Sequence, residues 1–242
     1  MPGARLSSPA PPRPGNRRRA RAVLGHMRVD IWSDIVCPWC YIGKRQFEQG
    51  LAGFAGREQV EVVYHAFELD PSIPAGQGTP IMELLAAKYG LTPQQAADAE
   101  AAVAARAAAA GLSFTGERLM GNTFNAHRLV RLGLDRGIQD QVLQHLYEAY
   151  FGRAQPVFTA ADLTGLAAAA GLDPAEAGEV LAGDRFADAV RADEAQAAKM
   201  GINGVPFAVV AGRYGVSGAQ APETFTAVLE RVERDGPAGP AS

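Results

Sequence analysis

Polar and apolar residues alternate along Arg28-Val29-Asp30-Ile31-Trp32, with β-branched Val29 and Ile31, so the spacing predicts a strand. Ser33-Asp34 is a turn signal. From Pro38 to Phe54 the apolar residues Trp39, Ile42 and Phe47 suit one helix. Val60 to Phe67 is a second β-branched run. The β–α–β opening has the length of one parallel crossover unit.

The pattern changes at Thr79. From there to about Met200 helical signals dominate and almost no strand-like run appears. Thr79-Pro80, Thr92-Pro93 and Asp173-Pro174 each set a capping side chain before a proline suited to a first helical position. Thr159 with Asp162 resembles a capping box. Gly90, Gly111 and Gly171 stand where helices should stop, and Ala101 to Ala110 is strong helix-forming sequence. Strand patterns return at Val205–Val210 and Tyr214–Ser217, joined through Gly212, before a helix from Pro222 to Glu233. Neither end has enough strands for a stable sheet alone. The expected fold is therefore α/β, one sheet-and-helix domain interrupted by a large all-helical insertion domain. The expected boundaries are a disordered Arg/Pro-rich tail at 1–26, the first part at 27–78, the insertion at 79–192, the second part at 193–235 and a disordered end at 236–242.

Composition narrows the function classes. Of 242 residues, 48% are hydrophobic and 20% charged, which suits a globular chain and not a disordered one. No apolar run approaches the length of a membrane-spanning helix, so no membrane partner is expected. Six of the 23 basic residues, and none of the 26 acidic ones, precede Met27. The body then holds 17 basic against 26 acidic residues, a net −9, which argues against a nucleic-acid groove. Arg17-Arg18-Arg19 would suit an export signal, but only Ala22-Val23-Leu24 follows as apolar sequence, so the expected compartment is the cytoplasm. Met27 is an alternative first residue.

The two cysteines cannot staple a fold of this size, which leaves them for chemistry. Cys37-Pro38-Trp39-Cys40 follows a predicted strand and opens a predicted helix. On the first helical turn, side chains three apart share one face within disulfide reach. Cys37 at the helix cap would meet the amides of Trp39 and Cys40 and the positive end of the helix dipole, which favour the thiolate. Cysteines so placed ionise at roughly 3.5 to 7. Cys37 reads as the exposed nucleophile and Cys40, one turn inside, as the resolving thiol. Pro38 stiffens the turn. A zinc site would need two further ligands, and His26, His65, His127 and His145 offer no ligand spacing, so no metal is expected. Gly204-Val205-Pro206-Phe207 places a proline where a strand should start. A cis Val205–Pro206 bond beside Cys37 would let the Val205 backbone pair with an extended substrate.

Taken together, these features resemble the DsbA family, and within it the FrnE-like branch. The motifs carrying the match are Ser33-Asp34-Ile35-Val36-Cys37-Pro38-Trp39-Cys40, Phe67-Glu68-Leu69-Asp70-Pro71, Asn122-Thr123-Phe124-Asn125-Ala126-His127-Arg128-Leu129, Gly204-Val205-Pro206-Phe207 and Ser217-Gly218-Ala219-Gln220. The resemblance implies a thioredoxin-like fold with a helical insertion. It also implies a thiol–disulfide oxidoreductase carried by Cys37 and Cys40, with Pro206 as cis-proline. Protein or small-molecule disulfides are the implied substrates, contacted through Pro38, Trp39, Val205 and Pro206. Trp39 stands where DsbA's own motif has His, so Cys37 is expected to be less acidified than in DsbA. No cofactor is expected, with glutathione open as a co-substrate and a homodimer open as the assembly.

The competing reading is a glutathione-dependent isomerase or tailoring enzyme of aromatic polyketide biosynthesis, which the branch's associations suggest. Kappa-class glutathione transferases and related isomerases typically carry Ser at the nucleophile, so a cysteine pair favours exchange. A third reading is a non-catalytic binding partner. Among weaker candidates, Asp34 is read as a turn former before a carboxylate acting on the thiol. His127 is read as structural, and His65 and His145 are given no role. Trp39, Phe124 and Phe207 could form an apolar patch around Cys37, although core packing also explains Phe124 and Phe207. The amides at Ser217-Gly218 could hold a carboxylate such as that of glutathione.

Overall fold

The computed structural model describes residues 27–236; the expected tail at 1–26 and the segment after Gly236 lie outside the described residues. Strand β1 (Met27–Ser33) leads through the dithiol turn into helix α1 (Pro38–Gly53), and β2 (Val60–Ala66) returns parallel to β1. At the far end, β5 (Phe207–Val210) and β6 (Tyr214–Ser217) form a hairpin that precedes helix α9 (Pro222–Asp235). The sheet order is β2-β1-β5-β6, and β5 runs antiparallel to β1, with Ile31 opposite both Tyr64 and Ala208. The hairpin turns on Ala211 and Gly212, both left-handed at φ 52° and 65°.

Alternation along β1 decides what each face buries. Ile31 faces α1 and α9, whose Phe47 and Phe225 meet edge to face at 5.4 Å. These helices touch where α1 has no side chain: a Cβ on Gly50 would lie 2.5 Å from the Pro222 carbonyl oxygen. Trp32 points to the opposite face and packs with Val209, Ala197 and Ile202.

Between β2 and β5 the chain forms β3 (Gly78–Pro80), α2 (Ile81–Tyr89), α3 (Pro93–Ala109) and β4 (Leu119–Gly121). Helices α4 (Phe124–Asp135) and α5 (Gln139–Tyr147) follow, then a π-helical turn (Glu148–Gly152), α6 (Ala160–Ala169), α7 (Pro174–Ala182) and α8 (Ala187–Lys199). Thr92 and Thr159 make reciprocal capping boxes with Gln95 and Asp162, and Asp173 caps Ala175. Gly90, Gly111 and Gly171 take left-handed conformations after their helices.

The helical reading of Thr79-Pro80 and of the whole insertion is corrected by one strand pair. The insertion is not all helical, because β3 pairs antiparallel with β4, Thr79 opposite Met120. Thr79-Pro80 is accordingly strand and not a capped helix start; α2 begins at Ile81, whose N–H bonds the Arg118 carbonyl. The expected boundary at 192/193 falls inside α8, an uninterrupted helix.

Helix α8 is clamped to the sheet by polar bonds. Asp193 accepts hydrogen bonds from His65 Nδ1 at 2.7 Å and from the Ala66 N–H at 3.1 Å, and its carbonyl accepts from Trp32 Nε1. The other ring nitrogen of His65 meets Asp30 at 2.8 Å, and the ring stacks on Trp32. Helix α1 is locked into the insertion from its other side, where Tyr41 stacks on Phe151 of the π-helical turn at 5.2 Å.

Candidate active site

Cys37 is the N-cap residue of α1, with Pro38 at the first helical position, where its missing N–H costs nothing. The turn is closed by the Cys37 N–H on the Asp34 carbonyl, 3.2 Å, and the first helical bond runs from the Cys40 N–H to the Cys37 carbonyl, 3.0 Å. Both cysteines are free thiols.

Cys37 is 3% exposed, so the expectation of an exposed nucleophile is corrected. Its cover comes from the loop before β5. The Cys37 thiol donates to the Val205 carbonyl at 3.5 Å, and the Val205–Pro206 bond is cis. Nor do the helix amides cap the sulfur, since the Cys37 side chain makes no capping hydrogen bond. Cys40 is deeper, at 1% exposure, and accepts from the Asp34 N–H at 3.5 Å. Burial first, then its hydrogen bond to Cys37, push the Cys40 thiol well above the ordinary cysteine range.

The loop that carries Val205 and Pro206 is held at both sides. The Pro206 carbonyl accepts from the Gly218 N–H at 2.8 Å. That bond uses an amide that the sequence left open for a carboxylate, so the Ser217-Gly218 reading loses a donor. On the other side α1 presents Gly43, where a Cβ would meet Pro206 Cγ at 2.9 Å.

Around the thiols, Trp39 is 40% exposed and Pro38 partly buried. Phe207 and Phe124 each have a packing partner of their own. Phe207 packs with Trp32, Ile202 and Val209, and Phe124 lies under the Arg191 guanidinium at 4.2 Å. Leu69, from the quoted Phe67–Pro71 motif, is 38% exposed, and its N–H donates to Asp34 Oδ2 at 2.8 Å.

Asp34 and His127 outgrow their sequence readings. Asp34 does form the turn, but it is also 1% exposed, and its Oδ1 lies 3.4 Å from His127 Nε2. Tyr147, on α5, was missed altogether. Its hydroxyl donates to the Asp34 carbonyl at 3.3 Å, and burial and then the nearby Cys40 push its pKa well up. No local pattern marks a tyrosine for such a place. His145 is half-buried, with Nδ1 3.1 Å from the Gln141 carbonyl of its own helix. Among the described residues no group of His, Cys, Asp and Glu is arranged to hold a metal ion.

A parallel β–α–β, an antiparallel hairpin, a cis-proline loop and a helix-capping dithiol define a thioredoxin-like thiol–disulfide oxidoreductase. Residues 28–230 match the DSBA-like thioredoxin domain, and the chain belongs to that family. The structure is similar to that of a probable DsbA oxidoreductase of Streptomyces coelicolor, with 45% identity, 90% of this chain and 93% of that chain covered, and a TM-score of 0.85. It shares its fold with the cytosolic disulfide reductase DsbM of Pseudomonas aeruginosa, solved with GSH, at 16% identity, 86% and 99% coverage and a TM-score of 0.57. The uncharacterized protein YwbO of Bacillus subtilis (strain 168) is 40% identical over 55 residues, which span 23% of this chain and 25% of that protein.

Proposed function

We propose that this chain exchanges disulfides through a mixed disulfide on Cys37 that Cys40 resolves. The observation that carries the reading is the division of labour between the two thiols. Cys37 sits at the helix cap against the Val205 carbonyl, while Cys40 is sealed beneath Asp34 and held protonated by burial. A thiol kept neutral cannot lead the attack, because the thiolate is the nucleophile. Cys37 therefore attacks first, and Cys40 acts once a disulfide sulfur is within reach.

Pro38, Trp39, Val205 and Pro206 would receive the substrate. An extended segment slipping between Trp39 and the Val205–Pro206 loop displaces the carbonyl from Cys37 and pairs with that backbone. Disulfides of proteins and of small molecules both fit this geometry, and glutathione is the natural small-molecule partner in a reducing cytoplasm. Among the described residues no helix is long and apolar enough to cross a membrane. The five quoted motifs support assignment to the FrnE-like branch, and the division into an interrupted sheet domain and an insertion belongs to the same reading.

Two variants test this. Cys37→Ser should abolish turnover of oxidised glutathione and of a disulfide-containing peptide. Cys40→Ser should stop at a mixed disulfide on Cys37, visible by intact mass. Unchanged turnover in Cys37→Ser would contradict the reading and return the glutathione-dependent tailoring alternative.

A further inference from the structure

A cavity of about 330 Å³ is lined by neither cysteine and by no residue of the Val205–Pro206 loop. Its size is at the lower end of small-ligand cavities, which span about 300–1,000 Å³. Helix α1 supplies Tyr41 and Arg45, one turn apart on one face. The loop after α3 supplies Ser113, and α5 supplies Gln144. The π-helical turn supplies Glu148, with Arg153 at its end. That loop and that turn are bound to each other, because the Thr115 N–H donates to the Phe151 carbonyl at 2.8 Å.

Two observations mark this cavity as a ligand site. The first is Tyr41, which is 2% exposed, with its ring packed on Phe151 and Tyr147 at 5.2 and 5.4 Å. A tyrosine so buried ordinarily has its hydroxyl paired. Among the described residues this hydroxyl has no hydrogen-bond partner, and the charges acting on it are those of Glu148, Arg153 and Arg45, which line the cavity. The second is that these opposite charges do not pair with each other. Glu148 accepts from Gln144 at 2.8 Å, Arg153 Nε donates to Gln155 at 3.1 Å, and Arg45 stands 3.7 Å from Glu48. Among the described residues neither arginine forms an ion pair with Glu148. Charges of both signs held apart across one cavity suit a ligand that itself carries both.

We propose that this cavity binds a free α-amino acid, with the ligand carboxylate on Arg45 and Arg153 and its ammonium on Glu148. A guanidinium fork matches a carboxylate in geometry as well as charge. The hydroxyls of Tyr41 and Ser113 complete the polar lining. Gln144 is a positioning residue, because its amide fixes the Glu148 carboxylate. Phosphate and dicarboxylates suit the lining less well. Two arginines against one glutamate leave a single positive charge, and Glu148 would face a second negative group.

The test titrates the full chain by calorimetry with each L-amino acid in turn, and with succinate and inorganic phosphate. At least one amino acid should bind one to one and raise Tm by about 5–10 °C at about a hundred times its Kd. For the amino acid that binds best, the amine lacking its carboxylate and the acid lacking its ammonium should each bind about tenfold or more weakly. Arg153→Gln should weaken the amino acid about tenfold or more without weakening the amine. Glu148→Gln, which keeps an acceptor for Gln144, should weaken the amino acid as much without weakening the deaminated acid. A merely structural role would not produce this crossed pattern. Thermal melts establish folding, and the analogue comparison uses the wild-type chain, so it decides alone if a variant does not fold. No L-amino acid bound at millimolar concentration, equal binding of the amino acid and its deaminated analogue, or tighter binding of succinate or phosphate overturns the proposal.

Discussion

Gly43→Ala measures how closely the loop of Val205 must approach helix α1. Gly43 is buried in the interior of α1, where alanine would ordinarily gain up to about 1 kcal/mol over glycine. The added Cβ would lie 2.9 Å from Pro206 Cγ and 3.5 Å from Ala219 Cα and Cβ. Carbon atoms rest at about 3.5 to 4.0 Å, so Pro206 must withdraw by roughly half an ångström or more. Such overpacking costs about 1–3 kcal/mol, which outweighs the helical gain and leaves a modest net loss of stability. The greater effect falls on exchange. Pro206 is tied to Val205, whose carbonyl stands 3.5 Å from the Cys37 sulfur. A misplacement of about 1 Å at a reacting centre can cost on the order of a hundredfold, so half of that predicts about a tenfold slower reaction with oxidised glutathione. Gly50→Ala is the control. Its Cβ would meet the Pro222 carbonyl oxygen at 2.5 Å and Phe225 Cβ at 2.8 Å, so it should lose more stability, at the α1–α9 contact and away from the thiols. Stopped-flow exchange with oxidised glutathione, normalised to folded protein, and urea unfolding separate the two. Exchange at the wild-type rate in Gly43→Ala, or an equal loss in Gly50→Ala, would refute the reasoning.

The clamp on α8 should make stability depend on pH. Burial pushes the His65 pKa down, but its bonds to Asp193 and Asp30 outweigh this and leave it raised. The stabilisation is therefore complete below about pH 6.5, the unfolded value, and is lost as pH rises through the higher folded value. Asp193→Asn should cost about 1–3 kcal/mol at pH 6 and less at pH 9 in urea unfolding; a cost that grows with pH contradicts the sign. Burial raises Asp30, yet its bonds to His65 and Arg28 leave it lowered, so its contribution should be fully present above the usual carboxylate range and lost as pH falls through the lower folded value, which an acid titration of Tm would show. Arg118 is buried under Phe114 at 4.5 Å and pairs with Glu100 at 2.9 Å. Arg118→Ala leaves that carboxylate unpaired and should cost about 3–5 kcal/mol, and a loss below about 1 kcal/mol would show that the pair is dispensable.

What could be read from residues alone was what neighbours in sequence determine. The dithiol on a strand–helix junction and the caps at Thr92, Thr159 and Asp173 are local features, and each stands where the spacing put it. Thr79-Pro80 carries the same local signal, yet it pairs with the strand at Leu119–Gly121, which only the folded chain brings alongside. The site divides in the same way. The cis Val205–Pro206 bond was legible from its proline at a strand start. That Val205 would close over Cys37 was not, because the cover comes from a loop 168 residues away. The same holds for Asp34 and His127, whose interest lies in facing each other, and for Tyr147, whose hydroxyl reaches Asp34 from another helix. Lys44 escaped notice too: it is buried within α1, paired with Glu48 and Asp140, the second from a helix far along the chain.

On this mechanism Cys37 and Cys40 form a reversible redox pair. That is tested most directly by equilibrating the protein in glutathione buffers of graded poise and counting free thiols by alkylation and intact mass. One two-electron transition is expected, with a midpoint between roughly −270 and −120 mV, the span of thioredoxin-fold oxidoreductases. No disulfide at any poise, or only a stable glutathione adduct on Cys37, would contradict it.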